Sequence, residues 1–349
     1  MSTVSYADGV RVLPAPTCYL CARQGVPIYA RLRDRLFGAP GSWGLLGCNS
    51  CGLVWLDPRP QIEEIPKLYS EYYTHTSDAP QDASYHYWRR ALKRAALSTA
   101  YGYGTADNGL LHALGRIWCW FLPLHDMIGA SVRWLHAGSK GTLLDIGCGS
   151  GDFLLRMRTL GWTVKGVEPD PLARRHAVEV LGLDVAGGTL EEARFPDNSF
   201  DALTMSHVVE HLIDPVQTFS ECRRILKTGG KLVVMTPNIG SLGHRWFGES
   251  WRGLEPPRHL FLFRSETLRT CAERAGLTVT GVRTTANLAP FIWQASSEIR
   301  RAGTLPGGRL QNPSASAQIA AGLFWALESA LLAVRAVGEE IVLTSMKEG

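Results

Sequence analysis

A chain of 349 residues carrying 36 Lys and Arg against 32 Asp and Glu, a formal net charge of +4, has too little positive excess to argue for a nucleic-acid partner by itself. Its length exceeds a typical domain of roughly 100–200 residues, so a core with accessory parts is expected, and 45% hydrophobic residues is ordinary for a soluble globular protein. No run reaches the ~20 uncharged apolar residues of a spanning helix, and Met1–Arg11 lacks the apolar centre of a secretory signal, so the cytoplasm is the expected compartment.

Four stretches differ in texture. Residues 1–60 are rich in Cys, Gly and Pro, with short β-like runs. Here Cys18-Tyr19-Leu20-Cys21 and Cys48-Asn49-Ser50-Cys51 form C-x2-C-x26-C-x2-C. Two such knuckles bring four thiolates into a tetrahedron that suits Zn²⁺, and with sulfur at every corner the role is structural. Zinc ribbons also bind nucleic acid, but Asn49, Ser50 and Gly52 offer no basic reading surface. Cys119, Cys148, Cys222 and Cys271 read as ordinary buried thiols. Residues 61–136 look mainly helical, with Tyr69, Tyr72, Tyr73, Tyr85, Tyr87 and Trp88 in the first half and the apolar run Ile117–Leu124 further on.

Residues 137–283 alternate apolar strands with helix-length segments, the pattern of a doubly wound parallel α/β sheet. Strands are expected at Thr142–Ile146, Thr163–Val167, Asp201–Met205 and Lys231–Met235. Helices are expected at Gly151–Leu160, Pro171–Leu181 and Asp214–Leu226, the last stopped by Thr228-Gly229-Gly230. Thr278–Thr284 and Glu340–Ser345 would complete the sheet. Residues 284–349 then hold a helical insertion and the final strand.

The sharpest local signal is Asp145-Ile146-Gly147-Cys148-Gly149-Ser150-Gly151-Asp152. A strand ends in glycines at 147, 149 and 151 and leads into a helix. Glycines permit a tight turn and close approach of backbone to a ligand, and a helix N-terminus offers free N–H groups to a carboxylate or phosphate. Glu168, 23 positions after Asp145, ends the next strand, where a carboxylate can accept both ribose hydroxyls of an adenosine ligand. The plainer reading is a structural strand–helix turn.

Together with Phe195–Asp201 and Leu226–Gly230, these residues resemble the successive motifs of class I S-adenosylmethionine-dependent methyltransferases, over about residues 140–283. The resemblance implies a Rossmann-like seven-stranded sheet. It implies that Gly147 and Gly149 line the methionine part of the cofactor, that Glu168 holds the ribose, that Glu191 contacts adenine and that Ser206 and His207 border the sulfonium. The run Cys48–Pro60 resembles the zinc-ribbon front end of a bacterial methyltransferase group that often acts on sugars, glycans or secondary metabolites.

Ser206-His207-Val208-Val209-Glu210-His211 follows the strand end where the transferable methyl is expected, and Pro257-Arg258-His259 lies on a later segment. On one reading His259 or His207, with His211 alongside, is the general base for a hydroxyl acceptor. On another, His207, Glu210, His211 and His259 gather around Mg²⁺ or Mn²⁺, similar to the clusters of small-RNA and ubiquinone-pathway methyltransferases, although His207 stands where those carry Glu. A third has Glu210 and His211 merely satisfying each other and the backbone. The segment 238–263, with His244, Arg245, Trp246, Phe247, Trp251 and Arg252, reads as a substrate crevice or a lid. Ile117–Leu124 and Ile319–Val334 suit a membrane interface or packing against the protein or a second subunit; the first of these would make a lipid-linked acceptor expected. The acceptor is expected to be a small molecule or a sugar, methylated on oxygen, with C-methylation of a keto-sugar and a non-catalytic cofactor-binding partner as alternatives.

Overall fold

Short strands open the chain. The computed structural model describes residues 5–69, 87–104, 122–310, 313–332 and 334–349. β1 (Ser5–Ala7), β2 (Val10–Leu13) and β6 (Arg59–Pro60) make one small sheet. β3 (Val26–Leu32), β4 (Trp43–Gly47) and β5 (Val54–Asp57) make another, in antiparallel order. The second sheet takes its fourth strand, β12 (Phe261–Leu262), from more than 200 residues away: Phe261 pairs with Trp55 and Leu262 with Val54. Trp43, Trp55 and Phe261 are all closed to solvent. The cysteine module therefore shares a sheet and a continuous apolar core with the rest of the chain.

α1 (Tyr87–Tyr101) and α2 (Leu122–Ser131) cover one face of the large sheet through Ala96, Tyr101 and Ile128, joined by Leu135 just past α2, and pack near Leu143, Ala202 and Val233. Of the sequence features in this region, Tyr72, Tyr73, Tyr85, Cys119 and most of Ile117–Leu124 lie outside the described residues.

The alternating segments build a seven-stranded sheet. Its strands are β7 (Thr142–Ile146), β8 (Thr163–Glu168), β9 (Val185–Gly187), β10 (Phe200–Ser206), β11 (Leu226–Pro237), β13 (Thr278–Thr285) and β14 (Glu340–Met346), in the order β13-β14-β11-β10-β7-β8-β9. β7 to β11 run parallel, and β14 is antiparallel to both its neighbours. This is the expected doubly wound α/β sheet. Its order reverses between β7 and β10, and ligands of such sheets bind outside the strand C-termini at that switch. Leu143, Leu144, Ile146, Leu203 and Met205 are buried, as strands covered on both faces require.

The helices between them are α3 (Asp152–Thr159), α4 (Pro171–Arg175, widening into a π-turn over His176–Val180), α5 (Pro215–Ile225), α6 (Leu242–Phe247), α7 (Ser265–Arg274), α8 (Ala289–Ala302) and α9 (Ala315–Leu331). Pro171 and Pro215 sit at first helical positions behind the N-caps Asp170 and Asp214, whose carboxylates accept backbone N–H groups. The edge strand β9 was not expected, being too short at three residues to leave a periodic signature. One expectation needs correction. α5 ends at Ile225, before Thr228-Gly229-Gly230, because Leu226 turns extended and pairs with Phe200.

Between β13 and β14, α8 and α9 pack on each other and on segment 238–263. No helix among the described residues is long and apolar enough to cross a membrane. Ile319, Leu323 and Leu327 are open to solvent, whereas Glu328 on the same helix is fully buried. One oxygen of Glu328 accepts the N–H of Glu339 (2.9 Å) and the other has no hydrogen-bond partner. The Glu339 carboxylate accepts the N–H of Gly243 (2.7 Å) and Trp251 Nε1–H (2.8 Å). Burial, reinforced by the charge of Glu339, pushes Glu328 from an ordinary 4.5 up to about 9. A carboxyl raised in the folded state contributes stability that is complete below about pH 4.5 and is lost as pH climbs towards 9. Glu328→Gln, which keeps the neutral shape without that cost, should therefore raise the melting temperature by several degrees at pH 8 and by little at pH 5. Equal shifts at the two pH values, followed by circular dichroism, would show that Glu328 is ionised in the fold.

Candidate active site

The glycine loop shows where a ligand can lie. Gly147, Gly149 and Gly151 all have positive φ, at 69°, 56° and 89°. A Cβ on Gly147 would stand 2.5 Å from Val208 Cγ2, and one on Gly151 would stand 2.5 Å from Leu183 Cδ1, so these two glycines are demanded by packing inside the fold. A Cβ on Gly149 would meet nothing within 4 Å. Gly149 alone of the three faces open space, at the C-terminal end of the parallel strands.

Glu168 stands beside it. The Gly149 N–H donates to Glu168 Oε2 (2.7 Å) and the Asp170 N–H to Oε1 (2.9 Å), which fixes the carboxylate and leaves each oxygen a lone pair for a hydroxyl. Burial, with Asp170 and Asp145 nearby, pushes its pKa up. Asp145 is fully buried. Its Oδ1 accepts from Thr204 (2.8 Å) and from Arg133, while its Oδ2 is buried with no partner. A buried carboxylate oxygen left open is a place for a cationic donor, and adenosylmethionine carries an ammonium. The residues of this strand end fit that cofactor.

Arg133 was not legible as a site residue. It sits at φ 48° just past α2, stacks on Phe153 (3.7 Å to the ring centre) and donates to Asp145 and to Thr204 Oγ1 (2.9 Å). Nothing in its sequence neighbourhood marks it. Glu191 is exposed and accepts from Thr218 Oγ1 (2.7 Å), so its carboxylate is already engaged with α5. Ser206 ends β10 opposite Met235.

The histidines separate into two environments. His207, at φ 55°, has 38% of its side chain exposed and lies between two buried carboxylates, with Nε2 at 2.9 Å from Glu340 Oε1 and Nδ1 at 3.4 Å from Glu210 Oε1. Burial opposes its charge, but the bonds to Glu210 and Glu340 prevail and raise its pKa to about 10. A histidine held protonated is not a base near neutral pH. Glu340 was missed because it lies 133 residues further along the chain.

Glu210, His211 and His259 bring one ligand atom each to within 4.8 Å of one another, and His207 is not part of that group. The expected four-residue cluster is thus reduced to three. Glu210 and His211 do not hydrogen-bond each other, and of the two only the His211 side chain meets the backbone. Glu210 Oε2 accepts from Thr236 (2.8 Å), and Oε1 faces His207 Nδ1 at 3.4 Å and His259 Nε2 at 4.0 Å. His211 Nδ1 lies 2.9 Å from the Tyr69 hydroxyl and 3.0 Å from the Arg258 carbonyl. His259 is 5% exposed, and its Nδ1 donates to the Gly253 carbonyl at 2.8 Å, so Nε2 keeps its lone pair, facing Glu210 Oε1 (4.0 Å) and Glu255 Oε2 (3.9 Å). Burial lowers its pKa to about 4.

Segment 238–263 is mostly interior. Phe247, Trp251 and Leu254 are buried, and only Arg245, Trp246 and Glu249 are well exposed.

The four cysteines converge as the spacing requires. Cys18 and Cys51 Sγ are 3.5 Å apart, Cys21 and Cys48 3.3 Å, Cys21 and Cys51 3.9 Å, and all four lie within 4.8 Å. A tetrahedron with Zn–S bonds of about 2.3 Å has edges of about 3.8 Å. Both knuckles make the same turn, with the N–H of Ala22 on Cys18 O and that of Gly52 on Cys48 O, each at 2.8 Å and each residue at positive φ. The donor set fits a structural tetrahedral metal.

Residues 125–282 match the family model described as a methyltransferase domain. Similar proteins include three ubiquinone biosynthesis O-methyltransferases. That of Pseudomonas paraeruginosa is 35% identical over 147 residues, covering 38% of this chain and 63% of the relative. That of Paraburkholderia phymatum is 36% identical (34% and 55% covered), and that of Cereibacter sphaeroides 39% (28% and 41%). The chain thus spans less than two thirds of the length of these curated relatives. Solved structures similar to it include S-adenosylmethionine-dependent methyltransferases from Archaeoglobus fulgidus (21% identity, TM-score 0.43, 66% of this chain and 98% of the other) and Mesorhizobium loti (16%, 0.44, 63% and 97%).

Proposed function

We propose that the chain transfers the methyl group of S-adenosylmethionine to an oxygen of a small-molecule acceptor. The observation that carries this reading is the open face of Gly149 between the anchored carboxylate of Glu168 and the unpartnered Oδ2 of Asp145, at the switch of the sheet. Glu168 would hold the ribose hydroxyls, Asp145 the ammonium, and Gly147 and Gly149 the backbone approach. The cofactor supplies an activated methyl; what is left to the protein is to align the acceptor and take up its proton.

Oxygen as the acceptor atom is supported by His259, whose Nε2 lone pair is kept by the bond from Nδ1 to Gly253, and by the O-methyltransferase names of the curated relatives. His259 would take the hydroxyl proton. His207, between Glu210 and Glu340, would instead stay charged at the rim and orient the acceptor by donating. A second reading is favoured by the convergence of one ligand atom each from Glu210, His211 and His259 to within 4.8 Å: these residues would hold Mg²⁺ or Mn²⁺, which would polarise the acceptor oxygen. A sugar- or glycan-borne hydroxyl remains the finer expectation from the cysteine front end.

The test is equilibrium dialysis with adenosylmethionine and adenosylhomocysteine, followed by a radiolabelled-methyl screen over catechol, phenol and sugar acceptors. Absence of cofactor affinity ends the proposal. His259→Ala should abolish transfer while cofactor affinity is unchanged. Only the metal reading predicts that a chelator stops transfer and that added Mn²⁺ restores it.

A further inference from the structure

The cysteine module reaches the histidine site through one buried ion pair. Asp34 lies on the turn between β3 and β4, where its Oδ1 accepts the N–H groups of Leu36 (2.9 Å) and Phe37 (3.2 Å) and its Oδ2 that of Ala39 (2.8 Å). The carboxylate is thereby fixed by its own turn before it meets anything else. It then receives Arg258 in a two-pronged bond, Nη2 on Oδ1 and Nη1 on Oδ2, each at 2.9 Å. Both side chains are closed to solvent. Arg258 Nε adds a bond to Glu255 Oε1 (3.0 Å), and its guanidinium lies over the Phe37 ring at 4.6 Å.

The backbone of Arg258 is where this grip becomes useful. Its carbonyl faces His211 Nδ1, the next residue is His259, and the one after, Leu260, exchanges backbone bonds with both sides: its N–H donates to Glu210 O (2.8 Å) and its carbonyl accepts from Leu56 of the module (3.0 Å). One short stretch therefore touches Glu210, His211 and His259 together.

A buried ion pair is weak evidence for added stability, since desolvation offsets most of the attraction; what a planar, two-pronged pair supplies is orientation. We propose that Asp34 is a positioning residue for His259, acting through the guanidinium of Arg258 and fixing the direction of its Nε2. The proposal takes its catalytic meaning from the methyltransferase reading above, but its geometry does not depend on it.

The experiment uses the full-length chain with Asp34→Asn and, as a second variant, Arg258→Lys, whose ammonium cannot span both carboxylate oxygens. The first readout is the imidazole ¹⁵N spectrum. In the parent, His259 should show one protonated nitrogen, Nδ1; in either variant its signals should shift and report mixed tautomers. The second readout is transfer from adenosylmethionine to catechol, expected to lose about a hundredfold in kcat with cofactor affinity unchanged. An unaltered His259 spectrum in a folded variant overturns the proposal. So does a loss of kcat that merely follows lost cofactor affinity or lost folding in both variants. If the parent binds no cofactor, the methyltransferase reading fails while the imidazole signals still decide the positioning role.

Discussion

Glu168→Ala should weaken adenosylmethionine and adenosylhomocysteine binding at least a hundredfold, measured by calorimetry. Two hydroxyl bonds to a carboxylate contribute about 1.5–3 kcal/mol each, and 2.8 kcal/mol corresponds to about a hundredfold in Kd. The substitution also frees the Gly149 N–H, so the loop that presents the open face loses its anchor (2.7 Å in the parent). Glu168→Gln keeps one acceptor oxygen and should fall between parent and Ala. Replacing the buried carboxylate with a neutral group removes a desolvation cost but also takes the acceptor from the Gly149 and Asp170 N–H groups, so the melting temperature should fall by no more than a few degrees. A hundredfold loss of affinity beside so small a shift in melting would separate lost ribose contacts from lost folding. Unchanged affinity in the folded Ala variant would place the ribose elsewhere and remove the main support for the cofactor assignment.

How much of this was legible depends on how far apart in the chain the partners lie. The strands β7, β8, β10, β13 and β14 were readable to within a residue or two, because each is a short run rich in apolar or β-branched residues set in a strand–helix alternation. Asp145, Gly147, Gly149, Gly151 and Glu168 were readable because their spacing within one βαβ unit carries their geometry. The C-x2-C pairs were readable for the same reason, since each knuckle is closed by its own backbone. What failed were contacts between distant segments. His207 was grouped with Glu210, His211 and His259, yet at positive φ it lies against Glu340, which no local pattern connects with it. Arg133 reaches Asp145 from the turn after α2, and Asp34 reaches Arg258 across 224 residues. The aromatic segment 238–263 resembled a lid in composition, but Trp251 is tied to Glu339 and is packed inside. Composition reports what a segment can bury, and the tertiary partner decides whether it does.

Stripping the metal from the cysteine module should have the largest effect on stability. The four Sγ atoms sit at distances a tetrahedral ion would bridge, and Cys18 and Cys48 belong to the same apolar core as Trp43, Trp55, Phe261 and Phe263. Four thiols this close have no other means of neutralising one another once ionised, and structural zinc sites supply folding free energy directly. Metal analysis of the purified chain should give one zinc per chain. Cys48→Ser, or a strong chelator, should lower the melting temperature by more than 10 °C, with a change in the emission of the buried tryptophans. Because β12 pairs with β5 and follows His259 closely, methyl transfer should fall at metal levels where adenosylhomocysteine still binds. A metal-free chain with unaltered melting and unaltered tryptophan emission would mean that packing around Trp43 and Trp55 alone holds the module, and that the cysteines serve another purpose.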